Sequence, residues 1–339
     1  MPLPLIPFIV AGVAAVSAAV AGKKGYDSYQ NIQETNELAQ QLESKYKSTY
    51  KKFETSRNDT NEDFEKYGLL KLSILDGSMN DFIETFKHIK NVNFTGETVT
   101  DNFVSSKDID QFVLNIEKQV VKAGQVLTSG IASLAGGGLA AMGAVGATTS
   151  LAAASTGTAI ASLSGIAAQN ATLAFLGGGA LSAGGLGIAG GTMVLGGIAL
   201  APALAIGSLI FAASTQKKLE EMYAKKAEVN AEVEKLKSAI NVMTQISLAT
   251  ENMHDLADST NKLFLDNINK MKVIINQRGN DFRSYIVEEQ VIIHNNFKLA
   301  SIMKDILNTT ILNNEGNLVP NIQSVITAEK RKISAVKET

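Results

Sequence analysis

Six consecutive residues, Gly185, Leu186, Gly187, Ile188, Ala189 and Gly190, spell GxGxxG, the spacing with which a glycine turn cradles a dinucleotide pyrophosphate. That chemistry needs more than the spelling. It requires a strand before the turn, a helix after it and an acidic side chain about 20 residues on for the ribose. Here the first acid after the motif is Glu220, and glycines crowd both of its sides, so composition alone accounts for it. No GxxxxGK[ST] phosphate loop occurs. The histidines, His88, His254 and His294, each stand alone in a helical stretch, with no two at metal-ligand spacing. They read as surface or half-buried helix residues. Asp255 makes no dyad with His254, because adjacent residues on a helix do not face each other. Glu220, Glu221, Glu232 and Glu234 alternate with Lys217, Lys218, Lys225 and Lys235 as on a solvated helix face. Cysteine is absent, which removes thiol nucleophiles, thiolate ligands and disulfides. The expectation is a protein that is not an enzyme, with no catalytic, cofactor-binding or metal-binding residue.

What the chain has in place of chemistry is a gap in its charge. From Ala123 to Gln216 there is no Asp, Glu, Lys, Arg or His, and twenty of the 28 glycines fall in that stretch. An uncharged run of Ala, Gly, Leu and Ile must be enclosed by protein or placed in lipid. Its two halves differ. Ile131 to Asn170 is mostly Ala, Gly, Ser and Thr, whereas Ala171 to Ala213 gains Leu, Ile, Phe, Met and Val. As helix, Gly187 to Ala213 would measure about 40 Å, more than the roughly 30 Å hydrocarbon layer of a bilayer.

Each glycine in a water-exposed helix interior costs about 1 kcal/mol against alanine, so so many of them need a compensating role. Gly179, Ala183, Gly187 and Gly191 fall four apart, and Gly157, Ala161 and Gly165 form a second such row. Small residues at that spacing line one helix face and admit a neighbouring backbone, a packing mode favoured in lipid. Pro202 kinks or divides the strongest apolar stretch, which ends near Phe211. Both outcomes suit a helical hairpin. Lys118 and Lys122 precede the block and Lys217 and Lys218 follow it, which places both flanks on one side of a membrane and predicts an even number of crossings.

The remaining elements are predicted to be helical and to hold this block. Leu3 to Gly22 is apolar, uncharged, roughly 20 residues long and stops at Lys23 and Lys24, which reads as an uncleaved membrane segment in preference to a signal peptide. The lysines would set the arms on their own side and the N-terminus opposite. From Tyr26 apolar residues recur at helical spacing. A break is expected at Asn91 to Thr100 and a fresh helix near Ser106. Leu219, Met222, Val229, Val233, Leu236, Ile240 and Met243 recur at threes, fours and a seven, the pattern of coiled-coil packing. Arg278, Gly279 and Asn280 mark a turn, a helix should run from Asp281 to about Leu312, and the basic tail after Ala328 should be solvated. No strand pattern persists. The expected fold is all-α, an elongated helical bundle with coiled-coil arms flanking a glycine-rich hydrophobic hairpin. Its segments are residues 1–24, a membrane segment; 25–122, an amphipathic arm; 123–216, the uncharged block; 217–312, a second arm; and 313–339, loop and tail.

Long amphipathic helices on either side of a glycine-rich hydrophobic hairpin resemble the plan of α-helical pore-forming toxins of the cytolysin A and haemolysin BL type. The texture from Gly177 to Phe211, with Ala199, Leu200, Ala201 and Pro202 in sequence, is also similar to the membrane-addressing hairpin of apolipoprotein L proteins. The likeness covers the hairpin and its flanks. It implies a bundle that hides the hairpin in one state, then exposes it, inserts, oligomerises and permeabilises a bilayer, with Ser and Thr between Thr148 and Ser164 facing water. The N-terminal apolar segment departs from the freely secreted toxins of that plan.

A net charge of -2 gives no electrostatic reason for nucleic acid as a partner. The expected partners are a lipid bilayer, further copies of the chain, and a protein recruited through the arms. The location follows: a bacterial inner membrane or a target-cell membrane, reached directly or from a soluble form. Two alternatives stand beside pore formation, a membrane-anchored coiled-coil scaffold or membrane-remodelling partner without pore activity, and a cytosolic helical protein with a buried hairpin.

Overall fold

The computed structural model describes residues 23–94, 106–128, 215–313 and 317–338. Among these the fold is all-α. Two isolated bridges, Lys90 with Asp281 and Leu312 with Leu318, are the extent of β pairing among the described residues. The helices are α1 (Lys23–Ile74), α2 (Asn80–Phe86), α3 (Ser106–Thr128), α4 (Thr215–Arg278), α5 (Val287–Asn308) and α6 (Ile322–Lys337). Between α1 and α2 the chain stays helical through a π turn, Leu75–Met79. The glycine rows, Pro202, Phe211 and the segment before Lys23 lie outside the described residues.

Length comes from what the sequence omits. α4 contains neither glycine nor proline from Thr215 to Arg278, so nothing in it breaks the backbone ladder. It ends where Gly279 takes φ +82, the left-handed conformation that glycine adopts without steric cost. The Gly279 amide donates to the Ile275 carbonyl at 2.9 Å, closing the last turn. Asp281 then accepts from the Arg283 amide, and the Glu289 carboxylate accepts from the Ile286 amide at 3.0 Å. Those local bonds explain why α5 starts at Val287 and not at Asp281, as periodicity suggested.

The described residues fall into two compact units, and α1 and α4 contribute to both. In unit 1, α1 up to Asn58 pairs with α4 up to Met243. Its core is a ladder of Leu38, Leu42, Met222, Val229 and Val233, continued by Phe53, Leu236, Ala239 and Met243. Met222, Val229, Leu236 and Met243 repeat every seven residues and all are buried, the signature of a helix presenting one seam to a partner.

Unit 2 holds the end of α1, the π turn, α2, α3, the rest of α4, α5 and α6 around one apolar core. Phe82 stacks near Phe86 at 5.1 Å and lies 5.5 Å from Phe264 of α4. Phe297 of α5 meets Phe86, Phe94 and Phe112 at 6.0, 5.5 and 4.8 Å. α3 runs opposite to α2, since Lys87 pairs with Glu117 while Gly124 comes up against Asp76. Its buried residues, Ile109, Val113, Ile116, Val120 and Ala123, keep helical spacing.

The stretch after Ala328 is not a free tail. Ile322, Ile326, Glu329, Ile333 and Val336 of α6 are buried at the same spacing that α3 uses, and only the opposite face, with Lys330 and Arg331, meets water. Charge masked an amphipathic helix there.

Candidate membrane-facing end of the helix pair

The direction of α4 against α1 decides where the charge-free block leaves the described fold. In unit 1 the Tyr223 hydroxyl donates to the Glu34 carboxylate at 2.5 Å, and the Lys45 ammonium donates to the Asn230 side chain at 2.7 Å. Numbers rise together on the two helices, so they run parallel. Within unit 2 the same order recurs: Ser247 donates to Asp63, the Tyr67 ring faces His254 at 6.5 Å, Ser78 donates to Asn261 at 2.5 Å, and Lys272 bonds Asp81 at 2.7 Å. Beyond α2 and α4 the strands of backbone still run parallel, the Lys90 amide donating to Asn280 at 2.7 Å and the Phe282 amide to Lys90 at 3.0 Å.

A parallel pair begins at one end. Lys23 and Lys24 open α1, and Lys217 and Lys218 lie in the first turn of α4. The structure therefore brings together two of the three lysine groups read from the sequence, as backbone positions at one end of unit 1. Lys118 and Lys122 lie in α3, within unit 2, with Lys118 exposed.

The histidines fall in different parts of the fold and differ in setting. His88 is exposed at the end of α2. His254 approaches Asp255 at 3.4 Å, a contact the helix geometry was not expected to allow and one too long to be strong. His294 departs from a surface or half-buried reading: it is buried, 4.8 Å from the Phe94 ring. Among the described residues no three His, Cys, Asp or Glu side chains are grouped so as to hold a metal ion. Also among the described residues, no helix is long and apolar enough to cross a membrane.

No known protein family, curated protein or solved structure matches this chain.

Lys71 is an ionisable residue that the sequence reading did not single out. Lys71 is fully buried on α1, its ammonium 4.4 Å from the Tyr67 ring centroid, and burial pushes its pKa down to about 7. Burial also pushes the Tyr67 phenol up, and its hydroxyl donates to the Ile306 carbonyl at 3.4 Å. The signal was present in the spacing. Phe64, Tyr67, Lys71 and Ile74 step by three, four and three, the stripe of a core-facing helix, and Lys71 occupies a place on it.

Proposed function

We propose that this protein inserts its charge-free block into a lipid bilayer, oligomerises there and permeabilises it, with the paired helices outside the lipid. One observation carries the reading: from Ala123 to Gln216 the chain has no charged residue, and helices carrying lysines flank that stretch at Lys118, Lys122, Lys217 and Lys218. Transferring those charges into hydrocarbon costs several kcal/mol each, whereas the block between them presents no such barrier. The small-residue rows at Gly157, Ala161, Gly165 and at Gly179, Ala183, Gly187, Gly191 supply close helix contact for assembly in lipid.

The chemistry of the described helices fits a holding role. In unit 1, α1 and α4 bury a heptad seam against each other, and no charged residue of 30–58 or 219–243 is buried in it. The decisive measurement is dye release from liposomes on addition of purified protein, run beside vesicle flotation. Release with flotation supports the proposal. Flotation without release over a range of lipid composition and pH favours a membrane-anchored scaffold, and absence from the floated fraction removes both.

A further inference from the structure

The parallel register of α1 and α4 sets the starts of both helices at one end of the pair. Glu34 and Tyr223 share a hydrogen bond and hence a level on the axis. Counting back at 1.5 Å per residue, α1 begins about 16 Å beyond that level at Lys23, and α4 begins about 12 Å beyond it at Thr215. The two starts agree within about one helical turn.

Each start follows the same sequence of events. An uncharged apolar stretch, Leu3 to Gly22 in one case and Gly187 to Ala213 in the other, leads to a pair of lysines and then to a long amphipathic helix. Heptad spacing alone does not require this alignment. Had α4 run antiparallel to α1, the lysine pairs would stand at opposite ends of unit 1, and no single membrane surface would take both.

We infer that the Lys23 and Thr215 end of the α1–α4 pair abuts a bilayer, and that the chain enters that end from the far face twice, once before each helix, with one return crossing between them that keeps the block's own crossings even. This rests on the membrane reading above and adds an orientation to it. Lys23, Lys24, Lys217 and Lys218 then sit at one headgroup layer, where cations are favoured by anionic lipid and by the positive-inside bias. The helices that follow the two apolar stretches are zipped together by Leu38, Leu42, Met222, Val229 and Val233. Leu3 and Thr192 then both belong to the far face.

The natural absence of cysteine makes the test direct. Three single variants, Leu3→Cys, Thr192→Cys and Asn58→Cys, are reconstituted in phosphatidylcholine and phosphatidylglycerol vesicles and exposed to a membrane-impermeant maleimide before and after detergent. Circular dichroism matched to the parent controls for folding, and a Glu34→Cys/Tyr223→Cys double variant joined by a short bismaleimide confirms that the pair persists in lipid. The expected result is that Leu3→Cys and Thr192→Cys label together, from the face opposite to Asn58→Cys. Labelling of those two from opposite faces, or of Thr192→Cys from the Asn58→Cys face, overturns the inference and leaves membrane insertion standing. Failure of the vesicles to retain the protein at all overturns the membrane reading itself.

Discussion

The Lys71 ammonium lies 4.4 Å from the centroid of the Tyr67 ring, one helical turn back along α1, and both side chains are fully buried in unit 2. A cation over a desolvated ring face recovers about 2 kcal/mol, which is less than the several kcal/mol that burying an ammonium costs. Burial pushes the Lys71 pKa from 10.5 down to about 7.

That depression fixes the sign of a pH effect. Between about 7 and 10 the unfolded chain holds a proton at this lysine that the folded chain gives up, so the folded state gains stability as pH rises through that window. Above it the buried Tyr67 acts in reverse, because its raised pKa disfavours the phenolate that the unfolded chain forms. Urea midpoints measured from pH 7 to 9.5 should therefore climb for the parent and stay nearly level for Lys71→Met. The difference should reach a few kcal/mol. Equal slopes for the two proteins would show that Lys71 keeps its ordinary affinity.

Two glycines should respond to alanine with opposite signs. Gly279 has φ +82 and open space where a Cβ would stand, so Gly279→Ala loses about 1–2 kcal/mol to backbone strain alone. Gly77, in the π turn, also has open space but no positive φ. There Gly77→Ala removes unfolded-state freedom and should gain up to about 1 kcal/mol. Thermal unfolding of both variants checks this. A loss at Gly77 would mean that the π turn needs glycine for a reason other than space.

Much of the fold is legible in the sequence because helix packing writes itself as spacing. Met222, Val229, Val233, Leu236 and Met243 were readable as a seam and are buried as one; Leu219 and Ile240 flank it, half-buried. Arg278, Gly279 and Asn280 were readable as a turn, since glycine past a helix end has a specific conformational use. Two features were not. The spacing of apolar residues marks a face but carries no direction, so the parallel course of α1 and α4 emerges only from pairs such as Glu34 with Tyr223. The π turn at Leu75–Met79 has no compositional mark either; within it Ser78 reaches Asn261 of α4, a contact far apart in sequence.

A buried polar contact of that kind has a measurable worth. Ser78 is 3% exposed, and its hydroxyl donates to Asn261 at 2.5 Å while lying 3.4 Å from the Ile74 carbonyl. Ser78→Ala should cost about 1–3 kcal/mol, because Asn261 is left facing a methyl group. Combining it with Asn261→Leu should recover part of the loss, as both partners are then apolar. Strict additivity in that double-mutant cycle would count against the contact.

The separate cores of the two units predict separate responses to truncation. Leu236 belongs to the α1–α4 ladder of unit 1, whereas Phe264, fully buried against Phe82, belongs to the core of unit 2. Leu236→Ala should cost about 2–5 kcal/mol and Phe264→Ala about 3–5 kcal/mol within the respective units. Amide hydrogen exchange locates each loss. For Leu236→Ala, protection should fall across residues 30–58 and 219–243 while Ile293, Leu299 and Met303 of α5 keep theirs; for Phe264→Ala the pattern should reverse, with α5 and α2 losing protection first. Uniform loss across both units from either change would mean that α1 and α4 unfold as single cooperative rods, coupling the two cores through continuous backbone.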